Sequence, residues 1–247
     1  MVFDWGIVRE YFFSTILLEG VWITIQLSVL AQVIGVVLGG VTALGRQSRN
    51  PLLSLPANLY VWFFRGTPVY VQLLFWFAAL PKVQPFNVGL LALSLNEGAY
   101  MAEIVRAGIQ SVDKGQMEAA QSLGMTYGLA MRRIVLPQAL RVIIPPTGNE
   151  FISMLKTSSL ASAVSLDELL LHAQNIYNSS GDVPGATHVL ELLTVASIYY
   201  LILTTIFSIG QSWLESRLGD RRAQALTRGT LLTRLTSVLS LGGAIRR

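Results

Sequence analysis

Residues 21–44 read VWITIQLSVLAQVIGVVLGGVTAL, without one charged side chain. Thr24, Gln26, Ser28, Gln32 and Thr42 are the polar members of an otherwise apolar run. A helix that crosses the hydrocarbon core of a bilayer needs about 20 such residues. This stretch therefore sets the solvent in which the rest of the chain must fold. Working outward, four more apolar segments follow. They cover about 57–80, broken by Arg65-Gly66-Thr67-Pro68; about 86–107, with Asn96, Glu97 and Glu103 inside; about 142–163, interrupted by Pro145-Pro146 and holding Glu150 and Lys156; and 189–213. The expectation is an all-α integral membrane protein with five transmembrane helices.

Composition agrees. The chain has 247 residues, of which 52% are hydrophobic and 13% charged, and a mean hydropathy of +0.54. Soluble domains carry about 25% charged residues, so soluble enzymes, disordered chains and nucleic-acid-coating proteins are poor fits. With no cysteine and two histidines, thiolate chemistry, a disulfide framework and a zinc site are also excluded. The net charge of +4 then reads as a topology signal. With five spans, segments 45–55, 106–141 and everything after 213 share one side. They hold two, five and seven basic residues, fourteen of the eighteen Lys and Arg. Positive charge stays cytoplasmic, which puts the N-terminus outside and the C-terminus inside. The first residues lack a basic n-region before a short apolar core, so no cleavable signal peptide is expected.

The cytoplasmic segment between spans 3 and 4, about 111–137, is the most specific part of the sequence. Residues 116–123 are good helix formers and Gly124 suits a helix C-cap. A second helical stretch is expected over 125–135, with Pro137 resetting the chain direction. Taken alone, such a loop also suits two amphipathic helices on the membrane surface, with Arg132 and Arg133 on anionic headgroups.

The signature positions Glu118-Ala119-Ala120, Gly124, Ile134, Leu136 and Pro137 resemble the coupling loop of permease subunits of bacterial ATP-binding-cassette importers. The segments Phe64-Arg65-Gly66-Thr67-Pro68, Tyr100 to Ile109, Pro145 to Phe151 and Leu155 to Leu160 are similar to the polar-amino-acid subfamily, and the likeness covers about residues 20–215. The resemblance implies a transmembrane permease domain over 1–215; the basic tail over 216–247 lies beyond it and is cytoplasmic by the charge count. That tail is either a membrane-surface helix or a disordered basic segment. It implies the plasma (inner) membrane of a bacterium, with the short helix at Glu118 seated in a separate ATPase. The partners so implied are a second permease subunit, identical or paralogous, two cytoplasmic ATPase subunits and an extracytoplasmic amino-acid-binding protein, besides membrane lipid. This chain would bind no cofactor and perform no catalysis; ATP and Mg would sit on the partner ATPase. Consistently, none of Lys82, Lys114 and Lys156 follows a glycine, as a Walker A loop requires.

Each ionisable group at mid-bilayer costs roughly 2.5–3.5 kcal/mol on insertion scales, so each must face protein or water. Asn96, Tyr100, Glu103 and Ala107 fall on one stripe of a helix, with Glu97 beside it. Glu103 and Arg106, three residues apart, can form a structural ion pair. Asn96 and Glu97 either line a pathway or make satisfied interhelix hydrogen bonds. On the fourth span Asn149, Ser153 and Lys156 share one face, and Glu150, Met154 and Thr157 the adjacent one. Lys156 with Glu97 or Glu150 would match both ends of an α-amino acid, or would simply neutralise a carboxylate. Arg65 sits before a kink made by Gly66 and Pro68 and is expected to bond freed carbonyls or a neighbouring carboxylate. Some relatives carry an acid where Thr157 stands, so its absence counts against a preference for cationic substrates. Ala31, Gly35, Gly39 and Ala43 form a small-residue face, for packing either within the subunit or at a dimer seam.

Three rivals remain. A stand-alone ion-coupled carrier using Glu97 and Glu103 is discriminated by uptake that persists without ATP and collapses with the ion gradient; the absence of an evident internal repeat counts against it. An intramembrane enzyme lacks the paired ligands or serine–histidine spacing it would need. A non-transporting anchor would show no substrate-dependent stimulation of ATPase.

Overall fold

The computed structural model describes residues 3–179 and 188–218, and every regular element among the described residues is a helix. The chain divides into two units, Met1–Ile209 and Gly210–Arg247; only 210–218 of the second are described. The rest of the basic tail lies outside the described residues.

Caps set most helix starts. Asp4 opens α1 (Trp5–Phe12) by accepting from the Gly6 amide at 2.7 Å. Ser14 opens α2 (Thr15–Arg46), which at 32 residues is about 48 Å long. Asn50 and Pro51 open α3 (Pro51–Gly66), Asn50 accepting from Leu52 at 3.0 Å. The expected break in the second segment falls between α3 and α4 (Val69–Ala79), where Pro68 has no amide to continue the ladder. After α5 (Pro85–Gln110) come α6 (Lys114–Ser122), α7 (Tyr127–Ala130), α8 (Leu136–Thr157), α9 (Leu169–Tyr177) and α10 (Val189–Leu218). Among the described residues, three helices are long and apolar enough to cross a membrane: Thr15–Arg46, Pro85–Gln110 and Val189–Arg217. Helix α8 has 22 residues but carries Arg141, Glu150 and Lys156.

Two expectations about prolines are corrected. Pro137 does not turn the chain. A π-helical segment, Met131–Val135, joins α7 to α8, and Pro137 lies in the first turn of α8. The wider π turn takes the residues just ahead of the ring out of the tight register in which proline clashes. Pro145 and Pro146 do not interrupt the fourth segment either, since α8 runs through them. Proline's φ is already helical, and the two carbonyls that lose their donors belong to the exposed residues Arg141 and Val142. The regular helix changes later, at Ser158, into a 3-10 segment ending at Val164.

The small-residue face of α2 packs inside the subunit, against α5. A Cβ added at Gly35 would meet Glu97 Cγ at 2.4 Å, and one at Gly39 would meet Met101 Cβ at 2.4 Å. Ala31 and Ala43 are fully buried. Three apolar clusters hold the first unit together. One joins α1, α2, α9 and α10 through Tyr11, Leu17, Leu169 and Leu192. The second joins α2, α4, α5 and α8 through Leu27, Leu73, Leu93 and Met154. The third, smaller, packs Ile109 of α5 on Val135, Ala139 and Ile143.

Helix α9 is tied in by polar groups. The fully buried Glu168 caps it, accepting from the Leu170 and Leu171 amides at 2.9 Å each, and takes a hydrogen bond from the Tyr200 hydroxyl at 2.7 Å. The Leu169 amide donates to Thr24 Oγ1 of α2 at 3.2 Å. Burial pushes the Glu168 carboxyl up to about 7, against the hydrogen bonds that favour its charged form.

Candidate functional site

The break between α3 and α4 frees carbonyls, and two amides take them up. Gln72 Nε2 donates to Phe64 O at 2.9 Å, Thr67 O at 3.1 Å and Thr67 Oγ1 at 2.8 Å. From α5, Asn96 Nδ2 donates to Phe64 O at 3.0 Å and Gln72 Oε1 at 3.2 Å. The freed carbonyls are thus held by Gln72 and Asn96, not by Arg65. Gln72 is 4% exposed and was missed in the sequence reading, where one amide in an apolar run carries little weight. The signal was its place four residues after Pro68, where a broken ladder needs a donor.

Beside this joint lies a cavity of about 310 Å³ between α4, α5 and α8, within the size range of small-molecule sites. Asn96, Glu97, Tyr100, Glu150, Ser153 and Thr157 give it a polar lining, with Val69, Leu93 and Met154 as its apolar part. Six of the eight sequence-level pathway candidates therefore converge. Asn149 and Lys156 do not: both are exposed and neither lines the cavity. The reason is helical phase. Residues 150, 153, 154 and 157 follow the i, i+3, i+4, i+7 pattern of one face, and Lys156 lies about 240° around from Glu150 at 100° per residue. The expected match of Lys156 with Glu97 or Glu150 is not formed. Among the described residues, no Lys or Arg lines the cavity.

Glu97 is 3% exposed and accepts from Gln32 Nε2 at 3.0 Å. Gly35 leaves the room its side chain occupies. Tyr60 donates to Leu95 O at 2.6 Å and lies against Gly98, fixing α3 on the same part of α5. Two turns along α5, Glu103 has the opposite surroundings. Arg106 bonds it from the same helix, Arg46 NH1 of α2 stands at 2.5 Å, and Arg65 NH1 of α3 at 3.8 Å. Arg46 is braced in turn by Asn58, at 2.8 Å, and Arg106 by Gln110, at 2.7 Å. Arg65 spreads over the Tyr100 ring, 5.2 Å from its centroid.

The loop candidates form a separate surface. Asp113 caps α6 through Gly115 at 2.7 Å. At the far end Gly124, with φ +85°, closes a Schellman turn: the Met125 amide donates to Ala120 O at 3.1 Å and the Gly124 amide to Gln121 O at 2.9 Å. The helix begins two residues earlier than expected and ends one earlier. Glu118 and Ala119 face outward, while Ala120 is buried against the body. Leu123 is 85% exposed and Tyr127 and Leu129 are exposed beside it, an apolar strip beyond the signature residues. Ile134 and Leu136 are half-buried and Pro137 is exposed.

Residues 35–220 match the family described as the inner membrane component of binding-protein-dependent transport systems. The chain is similar to the arginine transport system permease protein ArgU of Corynebacterium glutamicum, 42% identical across 91% of this chain and 75% of that protein. It is also similar to the L-cystine transport system permease protein TcyB of Bacillus subtilis, at 40% identity over 87% and 91% of the two chains. Among solved structures, a chain of an amino acid ABC transporter crystallised with histidines aligns at a TM-score of 0.80 and 38% identity, over 88% of this chain and all of that one.

Proposed function

Because the chain belongs to the family of inner membrane components of binding-protein-dependent transport systems, we propose that it is the permease subunit of an ATP-driven importer of polar amino acids, and specifically of basic ones. It is a multi-pass transport protein of the bacterial inner membrane. Its five spans are α2, the pair α3–α4, α5, α8 and α10, with the N-terminus outside and the basic loop and tail inside. A binding protein delivers substrate from outside. Two such subunits alternate access to the cavity, and closure of two ATPases drives the change through α6.

The observation that carries the substrate reading is the cavity itself: two carboxylates, Glu97 and Glu150, and no cation among the lining residues described. In a low-dielectric wall, paired carboxylates favour a ligand that brings positive charge. An arginine or histidine side chain would supply it together with the α-ammonium. Thr157 lines the same wall without a charge, so the preference rests on Glu97 and Glu150 alone. The comparison proteins point the same way, one being an arginine permease and one a transporter crystallised with histidines.

The surface of α6 supports the coupling reading, with Glu118, Ala119 and Leu123 outward on a helix locked at both ends. Reconstitution with the ATPase and binding protein tests it. Glu118→Lys or Gly124→Pro is expected to weaken ATPase binding and abolish ATP-dependent uptake. Undiminished assembly and uptake would defeat the coupling role. Uptake driven by an ion gradient without ATP would favour the stand-alone carrier.

A further inference from the structure

A basic amino acid has one carboxylate as well as two positive groups, and the lining of the cavity leaves that carboxylate without a charged partner. The charge to meet it stands just behind Tyr100. Three guanidinium groups converge on Glu103, a single carboxylate, so the cluster holds an excess of positive charge. Arg46 and Arg106 are committed: each hydrogen bonds Glu103, and Asn58 or Gln110 braces it from the other side. Arg65 is not. Its nearest Glu103 oxygen is 3.8 Å away, outside hydrogen-bonding distance, and its side chain is 40% exposed. It rests on the ring of Tyr100, a lining residue, and its charge is within electrostatic reach of Glu150 on the cavity's opposite wall.

We propose that Arg65 is the residue that recognises the α-carboxylate of the transported amino acid, holding it at the Tyr100 end of the cavity. Resting on the cavity reading given above, this completes a charge set of two carboxylates and one guanidinium, the complement of a basic amino acid. The planar fork of arginine suits a carboxylate in two-point contact. Tyr100 holds the guanidinium in place between ligands by a cation–π contact, and the loose Glu103 contact is the one given up when substrate arrives. The broken helix serves this arrangement, because α3 ends at Gly66 and leaves Arg65 on the ring of Tyr100, one side chain away from the cavity.

The test is equilibrium binding of labelled L-arginine and of agmatine, which is arginine without its carboxylate, to the complete permease–ATPase complex without the binding protein. The wild-type complex is expected to favour arginine by about 10- to 100-fold, the range for a charge-assisted hydrogen-bonded pair. Arg65→Gln is expected to remove that preference by weakening arginine while agmatine binding persists, and Arg65→Lys to restore part of it. Equal loss for both ligands would make Arg65 a purely structural residue and overturn the proposal, as would an undiminished preference in Arg65→Gln. Glu150→Gln separates the two readings. If it weakens both ligands while Arg65→Gln spares the preference, the cavity reading stands and the Arg65 assignment falls. If the wild-type complex binds neither ligand, the cavity reading falls and this assignment with it.

Discussion

Glu97 and Glu103 lie six residues apart on α5, yet their surroundings are opposite. Glu103 has three guanidiniums around it, from α2, α3 and its own helix. Glu97 has one neutral amide, from Gln32, and a cavity shared with a second carboxylate. Charge in a membrane must be matched, and the two sites are matched differently. At Glu103 the chain supplies its own counter-charges, from α2, from α3 and from α5 itself. At Glu97 and Glu150 no Lys or Arg stands among the described residues that line the cavity, which is why the proposed function leaves the counter-charge to a ligand. The distinction between a structural carboxylate and a binding one therefore rests on which neighbours carry charge, and not on depth or residue type.

The contrast can be broken at several points. The largest effect is expected from Glu103→Ala, which leaves three arginines converging without a counter-charge. Its cost is about 2 kcal/mol or more, less than for a fully buried pair because the site is partly exposed. Membrane yield and the thermal stability of the complex measure it, and a stable, fully assembled variant would contradict the structural assignment. Next, Glu150→Gln is expected to lower ATP-dependent arginine uptake by about tenfold or more through loss of one charged partner, while Glu103→Gln, if it assembles, keeps its substrate preference. Gln72→Leu should cost about 1–3 kcal/mol, since the Phe64 and Thr67 carbonyls lose a donor away from water, and is read as a fall in melting temperature. A rise in stability there would show that the break between α3 and α4 has no need of its side-chain donors.

The smallest expected effect concerns Glu168, a fully buried carboxylate that meets neither the arginine cluster nor the cavity. Its carboxyl lies at about 7 in the fold against an ordinary 4.5. A raised value means that the protonated form suits the fold. The stability this group contributes is complete below about 4.5 and is lost as pH rises through 7. Melting temperature should thus fall by a few degrees between pH 5 and 8, and fall less in Glu168→Gln. An identical slope in both proteins would place the pH response elsewhere.

The sequence makes much of this legible, for physical reasons that also mark its limits. Charge-free runs such as 21–44 announce helices, because nothing else satisfies the backbone in lipid. Pro68 announces the break, since an absent amide ends a ladder wherever it falls in that apolar run. Gly124 announces the end of α6, where a left-handed φ is needed. Glu103 and Arg106 are a local pair, so spacing alone brings them together. Spacing is silent on contacts between helices. It found neither Arg46 as a partner of Glu103 nor Gln32 as the partner of Glu97, each more than fifty residues distant in sequence. The phase of α8 was also open, because two adjacent polar faces compete and only packing selects the one with Glu150, Ser153 and Thr157. Prolines mislead in the same way. At 145 and 146 the helix keeps its path because exposed residues bear the loss, and at 137 a π turn absorbs it. The short α1 and α9 carried no apolar period long enough to be read.

The central claim is that the cavity is charged to receive a basic amino acid. It is tested most directly by measuring the binding of arginine and of citrulline, its uncharged near-isostere, to the purified permease–ATPase complex. The expected result is binding of arginine at least about tenfold tighter, with the preference lost in Glu97→Gln and Glu150→Gln and kept in Glu103→Gln. Equal affinity for the two ligands in the wild-type complex would contradict the account.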